Sequence, residues 1–253
     1  MKSHCTKTAT VILFLSGVLT WGTAHGQQFN SDNYLSKPHG VATIILTYGQ
    51  RDAMFMNTFS LFRGWEFTAA AYIYNNDSDP KTSDGYSTSL YFKWMLYENE
   101  AKTGGVAVKG GTGLKPGYVD GDYLVKDAFK TYWMNAPLTL ALFDNKLSWD
   151  IMPGASVTLN YGSESTTAWA FTYSTRLAWY AFSPELSFVG EIFGSEGKAR
   201  AIPEYKIGPR WEPSQYAVFA VTYGEEIGDT HGARWQIGIM LFTPPFARLG
   251  GGD

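Results

Sequence analysis

The sequence predicts an all-β protein: a closed antiparallel up-and-down transmembrane β-barrel of about 12 strands, following an N-terminal signal peptide. Three observations predict it. Apolar and polar residues alternate with a period of two in segment after segment. Aromatic residues make up 16% of the chain and charged residues only 17%, where soluble domains carry about 25% charged. Connections between the segments alternate long and short. A strand in a membrane wall shows lipid only every second residue, so such a chain is greasy without containing one long greasy run.

The elements follow in order. In residues 1–26, Lys2 and Lys7 precede the apolar run Thr10–Gly22, and Ala24-His25-Gly26 gives the small-residue pattern that a signal peptidase reads. The run is short for a helical span. Residues 27–40 are expected as a periplasmic lead-in, 41–243 as the barrel and 244–253 as a tail. Cys5 lies in the leader, so the mature chain has no cysteine and owes nothing to disulfides. Removal of the leader takes away two lysines and leaves 18 bases against 23 acids, net −5. Without a basic stripe to displace counterions from phosphates, nucleic acid is not expected as a partner.

Strands are expected near 41–50, 53–62, 64–74, 87–98, 104–113, 132–143, 147–161, 167–180, 185–193, 202–212, 215–225 and 233–243. In GWEFTAAAYIY, Trp65, Phe67 and Ile73 alternate with Glu66 and Thr68. SLYFKWMLY sets Leu90, Phe92 and Trp94 against Tyr91 and Lys93. The glycine-rich stretch Thr103–Gly117 alternates valines with Ala107 and Lys109. No helix follows it, so it reads as a strand whose glycines face a crowded interior, not as a phosphate loop. LSWDIMPGASVTLNYG puts Trp149, Ile151, Val157 and Tyr161 opposite Asp150, Met152 and Thr158. AWAFTYSTRLAWY puts Trp169, Phe171 and Trp179 opposite Ala170, Thr172 and Arg176, and 185–193 adds Glu191. PEYKIGPRWE opposes Tyr205, Ile207 and Trp211 to Glu204, Lys206, Arg210 and Glu212. RWQIGIMLF opposes Trp235, Ile237 and Ile239 to Arg234 and Gln236. Only Asp122–Tyr132 suggests a helix, a short one within a connection. Pro137, Pro153, Pro203 and Pro209 fall in or near strands, where a proline donates no ladder bond; bulges or strand ends are expected there.

The connections are an independent check. Those at 75–86, 113–131, 162–167, 194–201 and 226–233 are long, and those at 63–64, 98–103, 144–146, 182–185 and 212–214 are shorter; the turn at 50–52 breaks the pattern. With periplasmic ends, the long set lies outside the cell. It carries eleven acids against six bases, counting Glu225 at its boundary, and is expected to keep the loops hydrated.

Aromatics near the strand ends choose between lipid and a protein core as the medium on the oily face. Trp65, Trp94, Trp149, Tyr161, Trp169, Trp179, Tyr205, Trp211 and Trp235 form the girdles expected at lipid headgroups. The charged face then lines the interior, with Glu66, Lys93, Lys109, Asp150, Arg176, Glu191, Glu204, Lys206, Arg210, Glu212 and Arg234 as lumen residues.

On these residues the chain resembles the outer-membrane β-barrel proteins of Gram-negative bacteria, in the broad porin and transporter group. The final strand WQIGIMLF, ending in Phe242, is similar to the C-terminal signal of that class, although TPPFARLGGGD follows and offers Phe246 as a second aromatic. The resemblance implies outer-membrane lipid, lipopolysaccharide and the barrel-assembly machinery as partners, and transport as a class tendency.

A barrel of this size falls between one filled by its own side chains and one with a wide aqueous pore. A narrow channel for passive passage of a small hydrophilic solute is expected. A non-conducting barrel that binds through its outer loops is the alternative, and a lipid-modifying enzyme a third reading. Catalysis is not expected: the mature chain holds only His39 and His231, at opposite ends of the proposed wall, and the nucleophile candidates Ser163 and Ser165 lie in a different outer loop from His231, with no hydrolase motif beside them. HExxH and CxxC spacings do not occur, so neither metal nor cofactor is expected.

Overall fold

The computed structural model describes residues 29–74, 85–113, 129–161 and 166–246. The leader expected at 1–26 and the residues beyond 246 lie outside the described residues, as does most of the short helix expected at 122–132; its last residues, Thr131 and Tyr132, are strand. No helix occurs among the described residues.

Fourteen strand segments make the wall: β1 (Ala42–Gly49), β2 (Asp52–Phe62), β3 (Trp65–Tyr74), β4 (Gly85–Glu98), β5 (Gly105–Gly113), β6 (Thr131–Asn135), β7 (Leu138–Leu142), β8 (Leu147–Ile151), β9 (Gly154–Tyr161), β10 (Thr166–Ser183), β11 (Leu186–Gly197), β12 (Glu204–Ser214), β13 (Ala217–Glu226) and β14 (Arg234–Phe242). They form twelve staves, because β6 with β7 and β8 with β9 are halves of two broken strands that share neighbours. Each stave pairs antiparallel with the next. The first closes on the last: Ile45 of β1 faces Met56 of β2 on one side and Met240 of β14 on the other. Closure leaves no unpaired edge among the described strands, which hydrocarbon demands because it offers a strand edge no partner.

The two breaks lie side by side and have one cause. Pro137 and Pro153 cannot donate to a ladder, so the chain steps aside there and other groups fill in. Ala136 N–H donates to the Pro153 carbonyl (2.9 Å), Ala107 N–H to the Pro137 carbonyl (2.8 Å), and Met152 exchanges both backbone bonds with Ser174 (2.8 and 3.1 Å). Pro203 sits just before β12 and Pro209 within it, where the ladder to β13 skips the residues between Ile207 and Arg210. Pairing of β10 with β11 runs past the expected ends, to Ala170 opposite Gly197. The polar and small residues at 194–197 show no apolar alternation, yet backbone ladders need none.

The medium on each face is settled by burial. Trp169, Trp179, Trp211 and Trp235 are exposed on the outer surface with Phe55, Leu90, Phe171, Phe188 and Ile239, while Lys109, Asp150, Arg176, Glu191 and Arg210 are buried inside. An apolar belt this extensive far exceeds the few hundred Å² that a soluble monomer leaves open. Trp65, Trp94, Trp149, Trp179 and Trp211 cluster toward the mouth with the short turns, and Trp169, Tyr205 and Trp235 toward the mouth with the long connections. Trp65 stacks on Trp94 at 5.0 Å, and the Trp149 indole N–H donates to Thr175 Oγ1 (2.8 Å), which satisfies it on a face without water.

The interior is less uniformly polar than alternation suggests. Ile45, Met56, Ala70, Tyr72, Tyr74, Tyr91, Trp133, Val218 and Met240 form one apolar cluster within it. Oil and charge therefore share the lumen and meet on β3 and β4, which carry Glu66 and Lys93 beside Tyr72 and Tyr91. Gly105 and Gly111 of β5 face this crowded space as expected: a Cβ would run into the Tyr34 ring at the first and into Tyr91 at the second.

Tyr34 does not belong to the wall. Residues from Phe29 to Ser36 are almost all buried, because this segment runs inside the barrel. Within the stretch expected as a lead-in at 27–40, residues Phe29 to Ser36 lie inside the wall: buried hydrogen-bonding and ionic partners on its inner face hold them in, as described below.

Candidate functional site: the lumen

Cross-strand register arranges the inward charges in two rows. In the first, Glu66 of β3 faces Lys93 of β4, Lys93 faces Lys109 of β5, and Lys109 faces Asn135 of β6. In the second, Thr139 of β7 faces Asp150 of β8, which faces Arg176 of β10, which faces Glu191 of β11, which faces Lys206 of β12. Register places these pairs because every second residue of neighbouring strands points the same way.

The second row alternates in sign, as stable cross-strand charge pairs should. Arg176 donates to Asp150 Oδ2 through both Nε (2.9 Å) and Nη2 (2.7 Å), and Thr139 Oγ1 donates to the other carboxylate oxygen (2.6 Å). Charge-assisted, multiply bonded pairs of this kind are the strong ones. The first row does not alternate. Lys93 binds Glu66 at 2.8 Å, but two lysines then stand directly opposite each other, both buried.

The missing negative charge comes from the inner segment. The Asp32 carboxylate reaches Lys93 (3.4 Å) through one oxygen and Lys109 (3.3 Å) through the other. Burial by itself would raise this carboxyl, but Lys93, Lys109 and Arg176 outweigh it and hold it below the usual carboxylate range. The segment has further anchors on either side. Glu191 accepts the backbone N–H groups of Asn30 (3.0 Å) and Ser31, and Phe29 packs with Ala178, Val189 and Ala220. Tyr34 N–H donates to Thr139 Oγ1 (3.2 Å), Ser36 Oγ to the Gly64 carbonyl (3.0 Å), and Lys37 N–H to Glu66 (2.6 Å). Lys93 also donates to the Leu35 carbonyl (2.7 Å). The segment thus crosses the lumen as a plug bonded to staves on opposite sides. Beside it, toward Thr43, Ile45, Thr58 and Met240, a cavity of about 20 Å³ remains, room for about one water.

At the mouth with the short turns, Arg210 binds Glu212 (3.3 Å), whose carboxylate also accepts the Tyr180 hydroxyl (2.8 Å). Lys37 Nζ lies 4.1 Å from the Phe242 ring centre, so the last wall aromatic faces inward, whereas Phe246 is exposed. Burial, with Lys93 and Arg210 adding repulsion against the pull of Glu66 and Glu212, pushes the Lys37 ammonium down to about 8. At the other mouth, Arg51 bridges to Glu204 (2.7 Å) and Asp52 (3.3 Å). Lys206 stands 5.7 Å from the Phe193 ring centre.

Ten of the eleven expected lumen residues are inside: Glu66, Lys93, Lys109, Asp150, Arg176, Glu191, Glu204, Lys206, Arg210 and Glu212 are all buried. Arg234 is corrected. Its φ of 57° breaks the alternation at the start of β14, and its guanidinium joins Glu225 (2.9 Å) and the Tyr223 hydroxyl (3.1 Å) on the side of the wall that carries Tyr205 and Trp235. Tyr161 is corrected in the opposite sense. A left-handed Asn160, φ 52°, and the register shift between Thr166 and Ala168 turn Tyr161 onto the inward cluster of Ala168, Ala170 and Ala199. The sequence reading did not pick out Asp32 or Arg51. For Arg51 a signal existed in the irregularly short turn at 50–52, and the structure shows this arginine buried there on Glu204 and Asp52.

The histidines stand as expected at opposite ends. His231 Nδ1 lies 2.7 Å from Asp229, and Ser163 and Ser165 lie outside the described residues. Among the described residues no cluster of histidine, cysteine and carboxylates could hold a metal ion.

No protein-family sequence model matches the chain, and no curated protein matches it in sequence. Solved structures do match in fold. The KdgM porin is 7% identical, with a TM-score of 0.55 over 79% of this chain and 98% of the other. The NanC porin is 7% identical, with a TM-score of 0.50 over 80% and 97%. An outer membrane channel from Pseudomonas putida F1 is 11% identical, with a TM-score of 0.49 over 83% and 97%. The likeness to the first two is one of fold, and it places this chain among closed β-barrels built as outer-membrane porins are.

Proposed function

We propose that the protein is a narrow outer-membrane channel of a Gram-negative bacterium for passive passage of small hydrophilic solutes, closed in its resting form by its own residues 29–37. The observation that carries this reading is the pair of charged rows on the inside of a wall whose outside is apolar. Buried charges are costly unless paired or wetted. A lumen with charges of both signs along its wall suits polar solutes. The porin named KdgM has been solved in complex with disordered oligogalacturonate, which shows this fold handling a polar solute in that protein.

A second reading, a non-conducting barrel, is favoured by the plug itself. Planar-bilayer recording separates the two. The channel reading expects small or intermittent currents from the intact protein and larger, steady ones from a variant lacking 29–37. Silence from both, with the barrel folded, would leave the non-conducting reading standing.

A further inference from the structure

The wall carries one arrangement that its own residues do not explain. Lys93 and Lys109 are direct cross-strand partners, and both are buried. Like charges in that relation repel, and burial removes the water that would screen them. Every other charged step in the two rows joins opposite signs. The wall alone therefore presents Glu66, Lys93 and Lys109, an excess of one positive charge focused between two ammonium groups. Asp32 supplies one carboxylate there, with an oxygen on each lysine, and its side chain is chemically a tethered acetate.

We propose that Lys93 and Lys109 form a binding site for a small monocarboxylate, that Asp32 is its resident occupant, and that a carboxylate solute displaces Asp32 and so loosens the plug. The wall's charge excess is one, which matches a single carboxylate. The site also has a flat apolar flank: Lys109 Nζ stands 4.6 Å from the Tyr91 ring centre and 5.8 Å from that of Trp133, so the carbon part of a bound acid meets aromatic faces. Asp32 competes as a tethered group, at an effective concentration on the order of millimolar. Free carboxylate must exceed that level, so displacement follows solute abundance. Once Asp32 leaves, the plug keeps the bonds of Asn30 and Ser31 to Glu191 and the packing of Phe29 on one side, and the neutral or backbone bonds of Tyr34 to Lys37 on the other.

The proposal rests on the channel reading for the solute's route, so its test uses a readout that needs no current. Ser31 is fully buried in the plug, and outside the leader the chain has no cysteine. Ser31→Cys therefore reports plug release as the rate of modification by a soluble thiol reagent, on protein whose heat-dependent gel mobility shows a closed barrel. Adding Asp32→Asn removes a charge-assisted anchor and is expected to speed labelling by about ten-fold or more. Sodium acetate in place of sodium chloride at equal ionic strength, on the order of a hundredfold above the tethered concentration, is expected to speed labelling of the Ser31→Cys protein several-fold. Acetate should have no such effect when Lys109→Gln is also present. Asp32→Asn leaves the wall untouched and keeps the test decisive should the lysine variant fail to fold. Labelling that is equal in acetate and chloride, or unchanged by Asp32→Asn, overturns the proposal. Faster labelling with no current from any variant upholds the site and removes the channel reading instead.

Discussion

Arg176 and Asp150 are 1% and 0% exposed, and each is the other's main electrostatic partner. Removing one charge leaves the other buried and uncompensated, which costs about 3–5 kcal/mol, whereas replacing both by apolar groups of similar size is often neutral. Arg176→Ala is therefore expected to lower the urea midpoint of the folded barrel markedly, and Arg176→Met combined with Asp150→Leu to restore most of it. Asp32 carries a pH dependence of known sign. Its carboxyl titrates lower in the docked plug than the ordinary 3.8, so its contribution to docking is complete above that value and is lost as pH falls through the lowered one. The groups facing it are Lys93 of β4, Lys109 of β5 and Arg176 of β10, all cationic, with Glu66 and Glu191 behind them. Acidification below about pH 4 is expected to raise the modification rate of Ser31→Cys relative to that of a free thiol at the same pH, a ratio that removes the shrinking thiolate fraction, and Asp32→Asn to flatten that rise. A ratio independent of pH would show that Asp32 does not hold the plug.

At the level of elements, the staves are legible in the sequence because lipid on one side and a polar lumen on the other impose a strict alternation. The same rule found ten lumen charges, since parity along a strand decides the face. It fails where the backbone changes parity: the left-handed Asn160 and Arg234 carry no pattern that announces a positive φ. It fails also for the plug. NSDNYLSK is polar, short and without period, and the lysine that Asp32 meets in β4 lies 61 residues away, so the contact is invisible without the closed wall between them. The break at Pro153 has its own test. Gly154 follows it, and a Cβ there would overlap the Met134 backbone carbonyl and the Asn135 side chain, the latter crossing that gap to Thr172 Oγ1 (3.0 Å). Gly154→Val should cost about 1–3 kcal/mol of stability by overpacking, read as a lower unfolding midpoint, and Asn135→Ala should recover part of it by emptying the space.

For the molecule as a whole, the decisive partition is between the outer belt and the lined interior. Ile239 lies mid-strand on β14, outward and flanked by Leu46 of β1 and Phe219 of β13. Ile239→Arg should destabilise the barrel in lipid vesicles by about 2–4 kcal/mol, and an arginine at the rim position Tyr48 by about 1 or less. Equal costs at the two depths would argue against a hydrocarbon medium around the wall. The path of the plug has a further, practical consequence. Since Phe29 is packed deep among Ala178, Val189 and Ala220, anything fused just ahead of it must be threaded out through one of the openings. Affinity handles or reporter domains placed directly before Phe29 will compete with the plug for its berth, whereas Phe246 is exposed and is the better point of attachment.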